Sequence, residues 1–275
     1  MNIVITGTGI VSAIGIGKAE TLRSLLEERT GIAPLRYLRT DRCAFLAGEV
    51  KLTDEEMKRR LGISSEPTTR TSLMGMMALE EALAEAGIWT ADDNNAVDSP
   101  LTAGSHSCND RIALVSGTTV GGMDKSEQFY LHFLGDDTRN DYIRTHDCGS
   151  TTELIASHFF LDGQHGLFHL VTTPSTACSS AANAFVLGAN LLRSGMADVA
   201  VVGGAECISR FHLNGFNSLM ILDHGQCRPF DACRAGLNLG EGAAYMVLET
   251  IGHARRRGAQ PLACLSGYGN ACDAF

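Results

Sequence analysis

Positive charge is scarce in this chain. Its 275 residues hold 22 Lys and Arg against 31 Asp and Glu, a net charge of −9. A nucleic-acid binder presents a basic face to phosphates, so that class is disfavoured. Long apolar runs are missing too, and a membrane-spanning helix needs roughly 20 apolar residues in a row. No basic-then-apolar leader opens the chain, because Met1 runs straight into Asn2-Ile-Val-Ile5. Export is therefore not expected. No Cys-x-x-Cys pair occurs among the nine cysteines, and nine is an odd number. Without an export signal, this predicts reduced thiols in a cytoplasmic protein. What the chain does have is 30 glycines, 44% hydrophobic and 19% charged residues. That is the profile of a globular α/β protein of one large or two ordinary domains.

The most informative stretch is Pro174–Glu206. It opens on a turn, Pro174-Ser175-Thr176-Ala177, followed by Cys178. Ala181, Ala182, Phe185, Leu187, Ala189, Leu191 and Leu192 come next, apolar on almost every side of a helical wheel. A helix apolar all round is a buried helix. Gly195 ends it. Val199–Val202 reads as a strand buried on both faces, stopped by Gly203-Gly204. The chain thus places a cysteine at the N-terminus of a buried helix. Free N–H groups and the positive helix end favour thiolate there, and they can hold an oxyanion. Small neighbours leave room for a bulky acyl group. Spacing alone also fits an inert core cysteine, since cysteine is among the most buried residue types.

Elsewhere, Ile3–Ile5 reads as a strand running into Gly7-Thr-Gly9. That resembles the start of a dinucleotide fingerprint, but Ser12 stands where the third glycine belongs. Helices are expected at Gly17–Arg29 and at Thr68–Gly87, the second with a core-facing methionine stripe. Glu49–Arg60 reads as a solvated polar segment, and Asp92–Asp110 as a long loop. Strands are expected at Ile112–Val115, Leu167–Thr172, Ala243–Glu249 and Leu262–Gly267, with a helix at Ile251–Arg257. Alternating strands and helices predict a mostly parallel sheet with helices on both faces. His165 and His169 are four apart, but Gly163 and Gly166 oppose a metal-binding helix, so no metal is expected.

Four motifs occur together: Thr176-Ala177-Cys178-Ser179-Ser180, Val201-Val202-Gly203-Gly204-Ala205-Glu206, Arg228-Pro229-Phe230-Asp231 and Gly240-Glu241-Gly242-Ala243. Their order and spacing resemble the β-ketoacyl-acyl carrier protein synthases, specifically the type II elongating synthases of the thiolase-like superfamily. The opening and closing stretches resemble that family as well, although family chains continue well beyond Phe275. The resemblance implies a thiolase-like layered αβαβα fold. Residues 1–258 would form the first half, with nucleophile and cap, and 259–275 the start of the second.

Several functional expectations follow from that resemblance. Cys178 is the nucleophile, with its own backbone N–H in the oxyanion hole. Thr119, Val120, Phe216 and Leu237 border the acyl pocket. The family often has glycine at the position of Thr119, so a side chain there narrows the pocket. It usually reads Gly-Phe-Val where this chain reads Gly236-Leu237-Asn238. Arg70 matches a basic position that docks the acidic carrier protein, and Lys58, Arg59 and Arg60 could add to it. No cofactor is implied. The partners are an acyl carrier protein, presenting acyl and malonyl thioesters, and a second copy in a homodimer. The two histidines that stabilise the malonyl-derived enolate lie in the family's second half, and none of the nine histidines here falls in a matching motif. Residues 1–275 alone are then expected to be unstable and unable to decarboxylate malonyl thioester. Two alternatives stay open: a non-catalytic partner of the chain-length-factor kind, which typically loses the nucleophile, or an inactive truncated product.

Overall fold

The computed structural model describes residues 2–41, 44–64, 67–91, 110–135, 138–161 and 165–272. The expected loop at Asp92–Asp110 lies outside them except for Asp110.

A seven-stranded sheet forms the centre. Its order is β12 (Ala263–Leu265), β1 (Ile3–Ser12), β11 (Gly242–Thr250), β9 (Val199–Glu206), β5 (Ile112–Gly117) and β8 (Leu170–Thr172), with β2 (Gly15–Ile16) folded back on β1. β5 is parallel to β8 and β9, whereas β1, β11 and β12 pair antiparallel. The sheet is therefore mixed, not mostly parallel. A strand buried on both faces has the same apolar pattern whichever way it runs, so periodicity could not report direction.

Side chains alternate across this sheet. On β5, Ile112 and Leu114 enter one core cluster, and Ala113 and Val115 the other. The first cluster is closed by α3 (Arg70–Ala86), which packs on β1, β11 and β9. Thr69 caps α3 in a reciprocal box with Ser72, and Gly87 ends it at φ 64°. That left-handed turn costs glycine little. The second cluster is closed by α6 (Ser180–Arg193), which packs on β9 and β5. Ala184, Ala189, Leu191 and Leu192 are buried there, whereas Ala181, Ala182 and Asn190 are exposed. One sheet thus covers one face of α6, and the expectation of a helix buried all round is corrected. The side left open is small and polar near its ends, so the leucines still reach the core.

Gly7 and Gly9 are explained by packing. A Cβ on Gly7 would stand 2.2 Å from the Ala82 carbonyl oxygen, and one on Gly9 1.9 Å from that of Ala78. Their role is close approach of β1 to α3, in a strand whose pairing with β11 shifts register between Ile5 and Gly7.

The remaining elements surround this frame. α1 (Lys18–Leu26) follows β2. A small sheet joins β3 (Ala33–Pro34), β4 (Leu46–Gly48) and β10 (Leu239–Gly240). α2 (Asp54–Arg60) starts in a Thr53–Glu56 capping box and buries Met57 in an otherwise polar helix. α4 (Met123–Gly135), a 3-10 turn at Asn140–Thr145, and α5 (Cys148–Ala156) lead to a hairpin of β6 (Phe160–Leu161) and β7 (His165–Gly166). α7 (Arg210–Ser218) carries Phe216. Ser209 caps it by accepting from the His212 N–H, a start signal that the apolar pattern alone does not reveal. α8 (Ile251–Arg256) ends at Gly258, φ 76°, and β12 then adds to the edge of the central sheet.

Candidate active site

Cys178 stands two residues ahead of α6, in a tight elbow between β8 and that helix. Ala177, just before it, has φ 53°, a left-handed conformation that an L-residue holds only when its surroundings enforce it. The enforcing contacts are visible. Ser180 Oγ donates to the Ala177 carbonyl (2.7 Å) and accepts from the Thr176 N–H (2.9 Å). Asn183 Nδ2 donates to Thr176 Oγ1 (2.7 Å). The N–H groups of Ser179 and Ser180 turn back to Thr176 and Ala177, and the Cys178 N–H is not among the donors so used. The thiol is exposed.

Close backbone packing sets the floor beneath the elbow. Gly117 and Gly204 face each other across β5 and β9. A Cβ on Gly117 would meet Ser180 backbone at 2.5 Å, and one on Gly204 the Gly117 carbonyl oxygen at 2.6 Å. The resulting cavity has a volume of about 360 Å³. Cys178, Thr119, Glu206, Ile10 and Ala243 are among its lining residues.

Thr119 and Cys178 are therefore brought together on one cavity. Thr119 Oγ1 donates to the Ala177 carbonyl (3.4 Å). Val120 is half-buried beside this wall but does not line the cavity. Phe216 on α7 and Leu237, 37% exposed, also lie outside it. Asn238 organises the loop around Leu237. Its Oδ1 accepts from the Cys227 N–H, and its Nδ2 donates to the Gly225 carbonyl.

Arg70 is placed differently from the expectation. Nε donates to both oxygens of Glu241, Nη1 to the Leu52 carbonyl and Asp54, and Nη2 to the Val50 carbonyl and Glu241. The residue is 8% exposed. Burial would lower its pKa, but Glu241 and Asp54 outweigh that and hold the guanidinium charged. Its donors are committed inside the fold, so Arg70 braces the molecule and is no surface docking group.

Two residues were given no role by the sequence. Glu206 ends β9 inside the cavity wall, and the only signal was an acid closing an otherwise apolar strand. Cys148, first residue of α5, points its thiol at the Thr119 carbonyl (3.5 Å) and Ser175 Oγ (3.6 Å), a contact with no local sequence sign. Among the described residues no group of three or more His, Cys, Asp or Glu is placed to hold a metal ion. His169 Nδ1 is instead bonded to the Ile112 carbonyl (2.6 Å).

Comparison with known proteins places this architecture. The family model "Beta-ketoacyl synthase, N-terminal domain" matches residues 1–254. The chain belongs to the β-ketoacyl synthase family. Nodulation protein E of Rhizobium meliloti is 32% identical to this chain over 99% of its length, covering 64% of the relative. 3-Oxoacyl-[acyl-carrier-protein] synthase 2 of Staphylococcus aureus is 27% identical over the same share, covering 63% of that protein. Among solved structures, the ishigamide ketosynthase/chain length factor superposes with a TM-score of 0.81 at 28% identity, again over 99% of this chain and 64% of the other. The fold is thus the thiolase-like layered α/β fold of the ketosynthases. The chain spans a little under two thirds of the length of these relatives.

Proposed function

We propose that this chain carries the acyl-accepting site of a 3-oxoacyl-carrier-protein synthase. The observation that supports it is the strained elbow that presents an exposed Cys178 to a cavity walled by small residues and Thr119. In this reading the Cys178 thiolate attacks the carbonyl carbon of an acyl thioester. A new C–S bond forms, and charge develops on the carbonyl oxygen opposite the Cys178 N–H. Collapse of that intermediate expels the carrier thiolate, which takes up a proton, and leaves the acyl group on sulfur. The second step is condensation with the carbanion from a malonyl thioester that loses CO₂. It needs donors for the enolate, and among the described residues no histidine lines the Cys178 cavity. The acyl-transfer half is the part that these residues equip.

The partners follow from the same reading. An acidic carrier protein would deliver both thioesters, docking on basic side chains because this chain is itself acidic. Arg59 and Arg60 end α2 with both side chains exposed. A second copy would pair along β8, the three-residue strand at the sheet edge, where Val171 is 37% exposed. Pairing two such edges removes an unpaired ladder from each.

The test is incubation with an acyl thioester followed by peptide mass analysis. Cys178 is expected to gain the acyl group, and Cys178→Ser to gain none there. Cys233, Cys264 and Cys272 are exposed as well and serve as internal controls. Equal modification of those thiols, with Cys178 bare, would remove the nucleophile assignment.

A further inference from the structure

Glu206 is a carboxylate in an unusual place. It closes β9, lines the cavity that Cys178 opens on, and pairs with no cation among the described residues. Its partners belong instead to the turn after β5. The Thr119 N–H donates to Oε2 at 2.5 Å, and Thr118 Oγ1 donates to both oxygens at 3.3 and 3.2 Å. The Val120 N–H helps to oppose the rise in the carboxyl's pKa. Two consecutive residues are thus fastened to one side chain.

The same turn touches the elbow at several points. Thr119 Oγ1 reaches the Ala177 carbonyl, Ser180 Oγ reaches the Thr118 carbonyl (3.5 Å), and the Cys148 thiol reaches the Thr119 carbonyl. Ala177 is the residue with φ 53° on which the presentation of Cys178 depends. A rigid link therefore runs from Glu206 through the turn to the nucleophile.

The geometry points to Glu206 as a positioning residue that fixes Thr118 and Thr119 as a wall of the acyl pocket and so sets the preference between long and short acyl donors. This rests on the acyl-transfer reading above. Burial raises the carboxyl's pKa, and the bonds from Thr119, Thr118 and Val120 oppose that rise without cancelling it. A side chain kept for fold stability alone would be better served by a neutral group at this depth. Charge-assisted bonds to backbone N–H groups are stronger than neutral ones, which suits a wall that must not yield.

The experiment compares the wild-type chain with Glu206→Gln. Octanoyl and acetyl thioesters of N-acetylcysteamine are used as donors, and Cys178 acylation is read by mass. Glu206→Gln is expected to raise KM for the octanoyl donor about tenfold, the size of one weakened charge-assisted bond, with the acetyl donor little changed. Amide hydrogen exchange at Thr119 and Val120 is expected to quicken in the same variant. Thr118→Val removes one of the bonds without touching the carboxylate. It should move both readouts the same way by less, and it carries the test should Glu206→Gln not fold. An unchanged octanoyl-to-acetyl ratio in the folded variant would overturn the proposal. Should wild-type Cys178 accept no acyl group at all, the functional reading fails, and amide exchange then decides this link by itself. Unchanged protection of Thr119 and Val120 would sink it.

Discussion

Each N–H of the Arg70 guanidinium points at an acceptor within the protein, and its Cζ lies 5.4 Å from the Tyr37 ring centroid. The partner most dependent on it is Glu241, 8% exposed, which also accepts from the N–H groups of Val50 and Ile208. Removing Arg70 would leave a buried carboxylate without its cation. Losing one member of a buried pair costs roughly 3–5 kcal/mol. Arg70→Ala is therefore expected to lower the urea midpoint by a corresponding amount. Carrier binding by the folded fraction should be unaffected. Arg59→Glu/Arg60→Glu should do the reverse, weakening carrier affinity at low salt and leaving the midpoint nearly in place. A stable Arg70→Ala protein with lost carrier binding would restore the surface role. The residue type and the motif position were legible in the sequence. The burial was not, because Glu241 lies 171 residues away and only the fold brings it to Arg70.

Where β1, β11 and α8 meet, a buried charge cluster ties three elements. Glu249 accepts from Thr6 Oγ1 (2.5 Å), from His253 Nδ1 (2.5 Å) and from Arg257. His253 Nε2 lies 3.3 Å from Asp110 on its other side. Burial pushes the Glu249 carboxyl up, but the bonds from Arg257, His253 and Thr6 outweigh it and leave the pKa at about 2. A carboxyl depressed in the folded state stabilises the fold above its unfolded pKa. That contribution, about 3 kcal/mol, is lost as pH falls from about 5 toward 2. Asp124 works against this, since burial raises its carboxyl to about 6, so its protonation favours the folded state on acidification. Glu249→Gln should lower the thermal midpoint at pH 7 and flatten its fall below pH 5. A variant as acid-sensitive as the wild type would place that sensitivity elsewhere. The elements of this cluster were legible beforehand. β11 and α8 begin and end within a residue of the expectation, because β-branched runs, Thr250 and Gly258 mark them locally, whereas β1 runs on to Ser12, past the expected stop at Gly7-Thr-Gly9. Strand direction and the helix at α7 were not, because pairing partner and cap lie outside the periodic signal.

Large apolar side chains remain exposed in separate parts of the molecule. Leu25 and Leu26 on α1 are 61% and 76% exposed, Leu131 and Leu134 on α4 79% and 69%, and Leu219 and Met220 after α7 64% and 88%. α4 and α7 touch where Glu127 accepts from the N–H groups of Arg210 and Phe211, whereas α1 packs on β1 and β2. The α6 leucines are not part of this liability, since Leu191 and Leu192 are buried against the sheet. Burying one such side chain is worth about 1.5–3 kcal/mol, and a domain's net stability is only about 5–15 kcal/mol. A two-fold pairing through β8 would join the sheet edges and leave the α1 leucines in water. Residues 1–275 on their own are therefore expected to associate beyond a dimer at micromolar concentration. Light scattering should show a mass above two chains, and a hydrophobic dye should bind. The same sample should acylate Cys178 slowly and release no CO₂ from malonyl thioester, since no histidine among the described residues lines that cavity. A soluble dimer that binds no dye would show that these leucines find cover within the pair. Decarboxylation by that sample would show that the enolate can be held by groups other than histidine in this cavity.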